Sequence, residues 1–123
     1  MGMRTDKILY GFQEIKRAFP DAEISNSYRV ILIPRFPLPS QFNKPYTSLL
    51  IKINSDYQAP DAYVDRELRV YGQKSNHLSE ALTEDYMLER GWVKLCIQVS
   101  WSPSFSLVDY MLMLMQYFKE LRE

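Results

Sequence analysis

Proline placement constrains this chain more than any other feature of its sequence. Proline breaks helix interiors and cannot donate to a strand ladder, so Pro20 must end any helix that precedes it, and Pro34, Pro37 and Pro39 forbid both helix and central strand where they stand. Pro103 follows Trp101-Ser102 and marks the entry to the last segment. Before Pro20, Ile8, Phe12, Ile15 and Phe19 recur at helical steps and share one stripe, which predicts a helix that begins at Thr5 and stops before the proline. After Pro103, Ser106 with Asp109 three residues on forms a capping box, and Leu107, Tyr110, Leu114, Phe118 and Leu121 supply the apolar stripe of a second helix.

The stretch between the helices reads as strands. Tyr28 to Ile33 is rich in β-branched and aromatic residues and predicts a first strand that ends near Ile33, where the prolines begin. Tyr46 to Ile53 alternates and predicts a second, followed by a turn at Asn54-Ser55-Asp56 and a passage through Tyr57-Gln58-Ala59-Pro60-Asp61. Tyr63 to Tyr71 predicts a weaker third strand, and Trp92 to Val99 a fourth. Gly72 to Gly91 is a long polar connection with a short helix expected around Leu78, Leu82 and Tyr86, and connections of that length often serve as functional flaps. The order predicts an α+β fold: an N-terminal helix, a four-stranded antiparallel meander, a long flap and a C-terminal helix. With 123 residues, one domain over 1–123 is expected.

Charge and cysteine usage narrow the chemistry. Lys plus Arg (15) offsets Asp plus Glu (15), so the basic stripe that drives phosphate contacts is missing and nucleic acid is not expected as a partner. One cysteine excludes an internal disulfide, and with one histidine it cannot build a closed zinc site. Asp61, Asp65 and Glu67 lie close in sequence without matching ligands elsewhere, so no metal and no cofactor are expected. Met1 to Lys7 is charged, Asp6 occupies the position where myristoylation prefers Ser or Thr, and the apolar run Tyr110 to Met115 is far short of the roughly 20 residues that span a bilayer. A soluble, cytoplasmic protein without membrane contact is the expectation. Met111, Met113 and Met115 with Leu112 and Leu114 wrap the final helix more fully than a surface helix allows, which predicts burial ahead of partner docking.

In the fourth strand, alternation puts Val93, Leu95, Ile97 and Val99 on one face and Trp92, Lys94, Cys96 and Gln98 on the other. Cys96 thus shares the polar face with Lys94, whose charge would favour a thiolate, while a helix laid over that face would bury an inert thiol. Both remain open from the residues alone.

Leu49-Leu50-Ile51-Lys52-Ile53, then Tyr57-Gln58-Ala59-Pro60, His77, Gly91 to Cys96-Ile97, and Trp101-Ser102-Pro103 stand in an order that resembles the ubiquitin-conjugating (UBC-like) family. The resemblance covers residues 26 to 121 and is nearest to the bacterial ubiquitin-conjugating-like proteins called prokaryotic family E. It implies a UBC fold and a transferase that accepts a ubiquitin-like modifier as a thioester on Cys96 and passes it to a target amine. His77 stands where the family has His-Pro-Asn, but Leu78 follows it and the nearby asparagine, Asn76, precedes it. Asn76 or the flap backbone would then steady the oxyanion, and His77 would order the flap. Tyr57 and Pro60, with Trp101 and Pro103, would anchor the loops that meet partners. The implied partners are a ubiquitin-activating-like enzyme, the ubiquitin-like modifier and a deconjugating metallopeptidase of the same bacterial ubiquitin-like pathway. Two other possibilities stay open: a catalytically inactive UBC-like variant that binds or scaffolds a ubiquitin-like protein, and an unrelated small α+β interaction domain.

Overall fold

The computed structural model describes residues 4–55 and 57–122; Asp56 of the expected turn and Gly2 lie outside the described residues. Helix α1 spans Thr5–Ala18, with Asp6 in its first turn and Lys16 and Arg17 in its last, charges that complement the helix dipole. It ends ahead of Pro20, as the proline requires, and buries Ile8, Gly11 and Ile15. Helix α3 spans Leu107–Glu120. Its capping box is complete: Asp109 N donates to Ser106 Oγ at 3.1 Å, and Ser106 N donates to the Asp109 carboxylate at 2.8 Å.

The strands form one antiparallel sheet of six, not four: β1 (Glu23–Ile24), β2 (Val30–Pro37), β3 (Tyr46–Lys52), β4 (Asp61–Asp65), β5 (Leu78–Ser79) and β6 (Trp92–Leu95), in the order β1-β2-β3-β4-β6-β5. The two added strands are two residues each, too short to carry a periodic signal. The flap supplies β5 on the outer edge of β6, and its short helix α2 lies at Asp85–Glu89, later than expected.

Three further boundaries differ from expectation. Strand β2 continues past Ile33 to Pro37 because the register shifts between Ile33 and Phe36. At that bulge Pro34 and Arg35 sit opposite Ser48, where a missing N–H costs no ladder bond. The third strand stops at Asp65, where Arg66 N turns to donate to Gly91 O at 2.8 Å. The fourth stops at Leu95: the bond from Cys96 N to the His77 carbonyl at 2.7 Å continues the register with β5, and no rung follows it.

One face of the sheet carries Ile31, Ile33, Leu49, Ile51, Val64, Val93 and Leu95 into the core, against Ile8 and Ile15 of α1 and Leu107, Tyr110, Leu114 and Phe118 of α3. An aromatic seam ties strand to helix: Phe36 lies 5.7 Å from Phe118 and Phe42 meets Phe118 edge-on at 5.6 Å. On α3, Met111 is buried, but Leu112 is 59% exposed and Met115 36%, so the helix is covered on one side and not wrapped as its methionines suggested. Among the described residues, no helix is long and apolar enough to cross a membrane.

The two helices touch through Gly11. A Cβ there would lie 2.9 Å from Leu107 Cβ, an atom held by its own backbone. Gly11→Ala is expected to destabilise the protein by about 1–2 kcal/mol, because overpacking outweighs the roughly 1 kcal/mol of helix propensity that alanine returns. Urea denaturation of the two proteins measures the difference; a more stable alanine variant would mean that the helices separate freely.

Candidate functional site

Cys96 stands immediately beyond β6, at the point where β5 and β6 part. The flap sets its position from below: Leu78 pairs with Leu95, and the His77 carbonyl accepts the Cys96 N–H. Cys96 is half-buried and is the chain's one cysteine. It lines a cleft of about 870 Å³ together with Tyr57, Pro60, His77, Trp101 and Tyr117. Four segments far apart in sequence meet there: the exit from β3, the flap, the end of β6 with the loop beyond it, and α3, through Tyr110 of its first turn and Tyr117 of its last.

Of the residues singled out from sequence, Cys96, His77, Tyr57, Pro60 and Trp101 therefore share one cleft. Asn76 and Pro103 do not. Asn76 is exposed and lines a separate cavity of about 330 Å³ with Tyr71, Lys74 and Arg122. Pro103 is exposed, and its carbonyl accepts from Lys7 Nζ of α1 at 2.8 Å, which ties the entry of α3 to the first helix.

Lys94 lines the cleft, but its ammonium pairs with Asp61 at 3.5 Å. The charge expected to favour the Cys96 thiolate is thus already shared with a carboxylate. The other acidic residues noted in sequence are engaged as well: Asp65 accepts from Ser48 N and pairs with Lys44, and Glu67 pairs with the same lysine.

Tyr117 links the His77 side chain to the Cys96 backbone. Its hydroxyl lies 2.7 Å from His77 Nδ1 and 3.1 Å from the Cys96 carbonyl oxygen, and the two rings meet edge-on at 5.8 Å. A carbonyl can only accept, so both contacts are made together when the phenol donates to Cys96 O and Nδ1–H donates to the phenol oxygen. That arrangement leaves Nε2 as the basic nitrogen of His77. Burial, and after it the neighbouring Cys96, pushes the Tyr117 phenol up to about 12 from an ordinary 10.0. The folded protein therefore keeps this proton over a range in which the unfolded chain has lost it, and stability falls as pH rises from about 10 toward 12. Tyr63 and Tyr110, also raised by burial, add to the same fall. Tyr117→Phe is expected to make the alkaline loss shallower than in wild type, as read by urea denaturation across that range; identical slopes would mean that the phenol titrates alike in both states.

Two residues lining the cleft carry buried polar groups without hydrogen-bond partners among the described residues, Trp101 Nε1 and Tyr110 OH. Tyr110 is 0% exposed, and burial followed by the Asp61 carboxylate holds its phenol well above the ordinary tyrosine range. The Trp101 ring meets Tyr110 edge-on at 5.9 Å and packs on Phe105 at 5.4 Å. A buried donor left unpaired typically costs about 1–3 kcal/mol, so such groups call for an explanation.

Neither tyrosine was singled out in sequence, because Tyr110 sits on the apolar stripe of α3 and reads as core. The signal available was the hydroxyl itself: a tyrosine placed among leucines and phenylalanines still needs a partner for its polar tip. Comparison with known protein families, with curated proteins and with solved structures finds no match.

Proposed function

We propose that this chain is a UBC-like, ubiquitin-conjugating transferase that carries a ubiquitin-like modifier as a thioester on Cys96. The observation that supports it is the meeting of Cys96, His77, Tyr57, Pro60 and Trp101, drawn from separate motifs of the resemblance, on the walls of one cleft. In charging, Cys96 Sγ attacks the carbonyl carbon of the modifier's thioester on an activating enzyme; a new S–C bond forms and the activating enzyme's thiolate leaves. In transfer, a target amine attacks that carbonyl, the bond to Cys96 breaks with its thiolate as leaving group, and the amine's proton passes to solvent. Within this scheme Tyr117 positions both the Cys96 backbone and the His77 ring.

A second reading, the fold kept as a binding module for a ubiquitin-like protein, is favoured by one observation: Asn76, the side chain in line to steady the oxyanion, lies on a different cavity. Incubation with an activating enzyme, ATP and a ubiquitin-like modifier encoded beside this chain separates the two. An adduct released by a thiol reagent supports the transferase. A charged activating enzyme with no adduct on this chain, but with modifier bound non-covalently, supports the module.

A further inference from the structure

We infer that residues 97–100 are an open strand edge that pairs with an extended segment of a partner protein, one with alternating β-branched residues and a lysine or arginine at its end. The inference concerns binding alone and stands whether or not Cys96 forms a thioester.

Strand β6 ends at Leu95, but its alternation of burial continues: Ile97 and Val99 are half-buried, while Gln98 and Ser100 are exposed. Among the described residues, no hydrogen bond reaches the backbone of residues 97–100. Cys96 turns its N–H to the His77 carbonyl, and its own carbonyl accepts from the Tyr117 hydroxyl. In an antiparallel strand one residue's N–H and C=O point the same way, and every second residue repeats that direction. Gln98 and Ser100 therefore offer theirs on the side that Tyr117 approaches. Natural edges are guarded by charges, proline or bulges. Here no charged residue occurs from Leu95 to Val108 and the first proline is Pro103, so the edge is left unguarded.

Beside the edge, a groove of about 630 Å³ lies between the segment and α3, lined by Val99, Phe105, Leu112, Met113 and Tyr117. Leu112 is exposed there. A strand added to the edge gains main-chain hydrogen bonds and sends alternate side chains into the groove. The groove's one charged lining residue among those described is Glu120, whose carboxylate accepts from Gln116 Nε2 at 2.8 Å and has no cation partner among them. That carboxylate calls for lysine or arginine on the incoming strand. A second copy of residues 97–100 brings no basic residue to Glu120, which favours a different protein as the occupant.

The test titrates an acetylated, amidated hexapeptide of sequence KVTVTK into the intact protein and follows the backbone amide resonances by NMR; lysines at both ends let either strand direction bring one to Glu120. Saturable, downfield movement of the Gln98 and Ser100 amides is expected. Methylating the peptide's backbone nitrogens should weaken binding at least tenfold, the usual loss for one hydrogen bond. Glutamates in place of both lysines should weaken it about threefold, as for an exposed ion pair, and Glu120→Gln should erase that difference. Gln98→Pro removes a donor that has no partner in the free protein, so it should weaken binding about tenfold at an unchanged melting temperature. Cys96→Ser should bind the peptide as wild type does, which keeps this result separate from the fate of the thioester proposal. No saturable movement at residues 97–100, equal binding of the methylated peptide, or a lysine preference that survives Glu120→Gln overturns the inference. So does a free protein that sediments as a dimer with the Gln98 and Ser100 amides protected from exchange, because the occupant would then be a second copy.

Discussion

Replacing Cys96 by serine is expected to abolish the thiol-releasable adduct while leaving the fold in place. Cys96 is the chain's one cysteine, so any thioester formed on this protein must be formed there. A thiol is a strong nucleophile even when only a few per cent is ionised, whereas a serine hydroxyl is far less acidic and needs a base beside it. Loss of the nucleophile elsewhere costs roughly 10⁶ in rate, and a trace product on the substituted hydroxyl would be an ester that thiol does not release. The substitution swaps sulfur for oxygen at a half-buried site and should change stability by less than about 1 kcal/mol. The measurement is gel analysis with and without thiol, beside a melting curve. A wild-type adduct that survives thiol and forms at equal yield in the serine protein would place the modifier on an amine and end the thioester proposal.

Phe118→Ala is expected to be the most damaging single truncation, costing about 3–5 kcal/mol and lowering the melting temperature by about 10–20 °C. Phe118 is 1% exposed and sits where α3 meets the sheet, 5.7 Å from Phe36 and 5.6 Å from Phe42, with Tyr117 at 6.4 Å. Its removal leaves a void that three rings border, and Phe36, held by the β2 backbone, collapses poorly into it. Leu112→Ala on the same helix is the control: at 59% exposure it should change stability by less than about 0.5 kcal/mol. Guanidinium denaturation of both variants checks the contrast, and comparable losses would show that the outer face of α3 is covered in solution.

The helices were legible because their determinants are local. Pro20 ends α1, Ser106 and Asp109 cap α3, and both apolar stripes need nothing beyond their own period. The sheet was legible only where strands are long. Two-residue β1 and β5 exist through their partners, and the continuation of β2 through Pro34 depends on a bulge set by β3. For the site, the alternation expected from Trp92 to Val99 ends with β6 at Leu95, and residues of both expected faces, Lys94 and Cys96 as well as Leu95, Ile97 and Val99, line the cleft. What could not be read was that Asp61 already holds Lys94, or that Tyr117 sends its hydroxyl from α3 to the Cys96 carbonyl at the end of β6. Both depend on contacts between residues distant in sequence.

The contact of Leu107 with Gly11, the bond from Lys7 to Pro103 and the two bonds from Gln41 Nε2 to the carbonyls of Phe118 and Leu121 all join early chain to late chain. During synthesis, α1 and the strands emerge first and must wait with the apolar face of the sheet uncovered. The core closes only when α3 docks, and because these hydrogen bonds join residues 77 to 96 positions apart, closure waits on long-range contact and not on local structure.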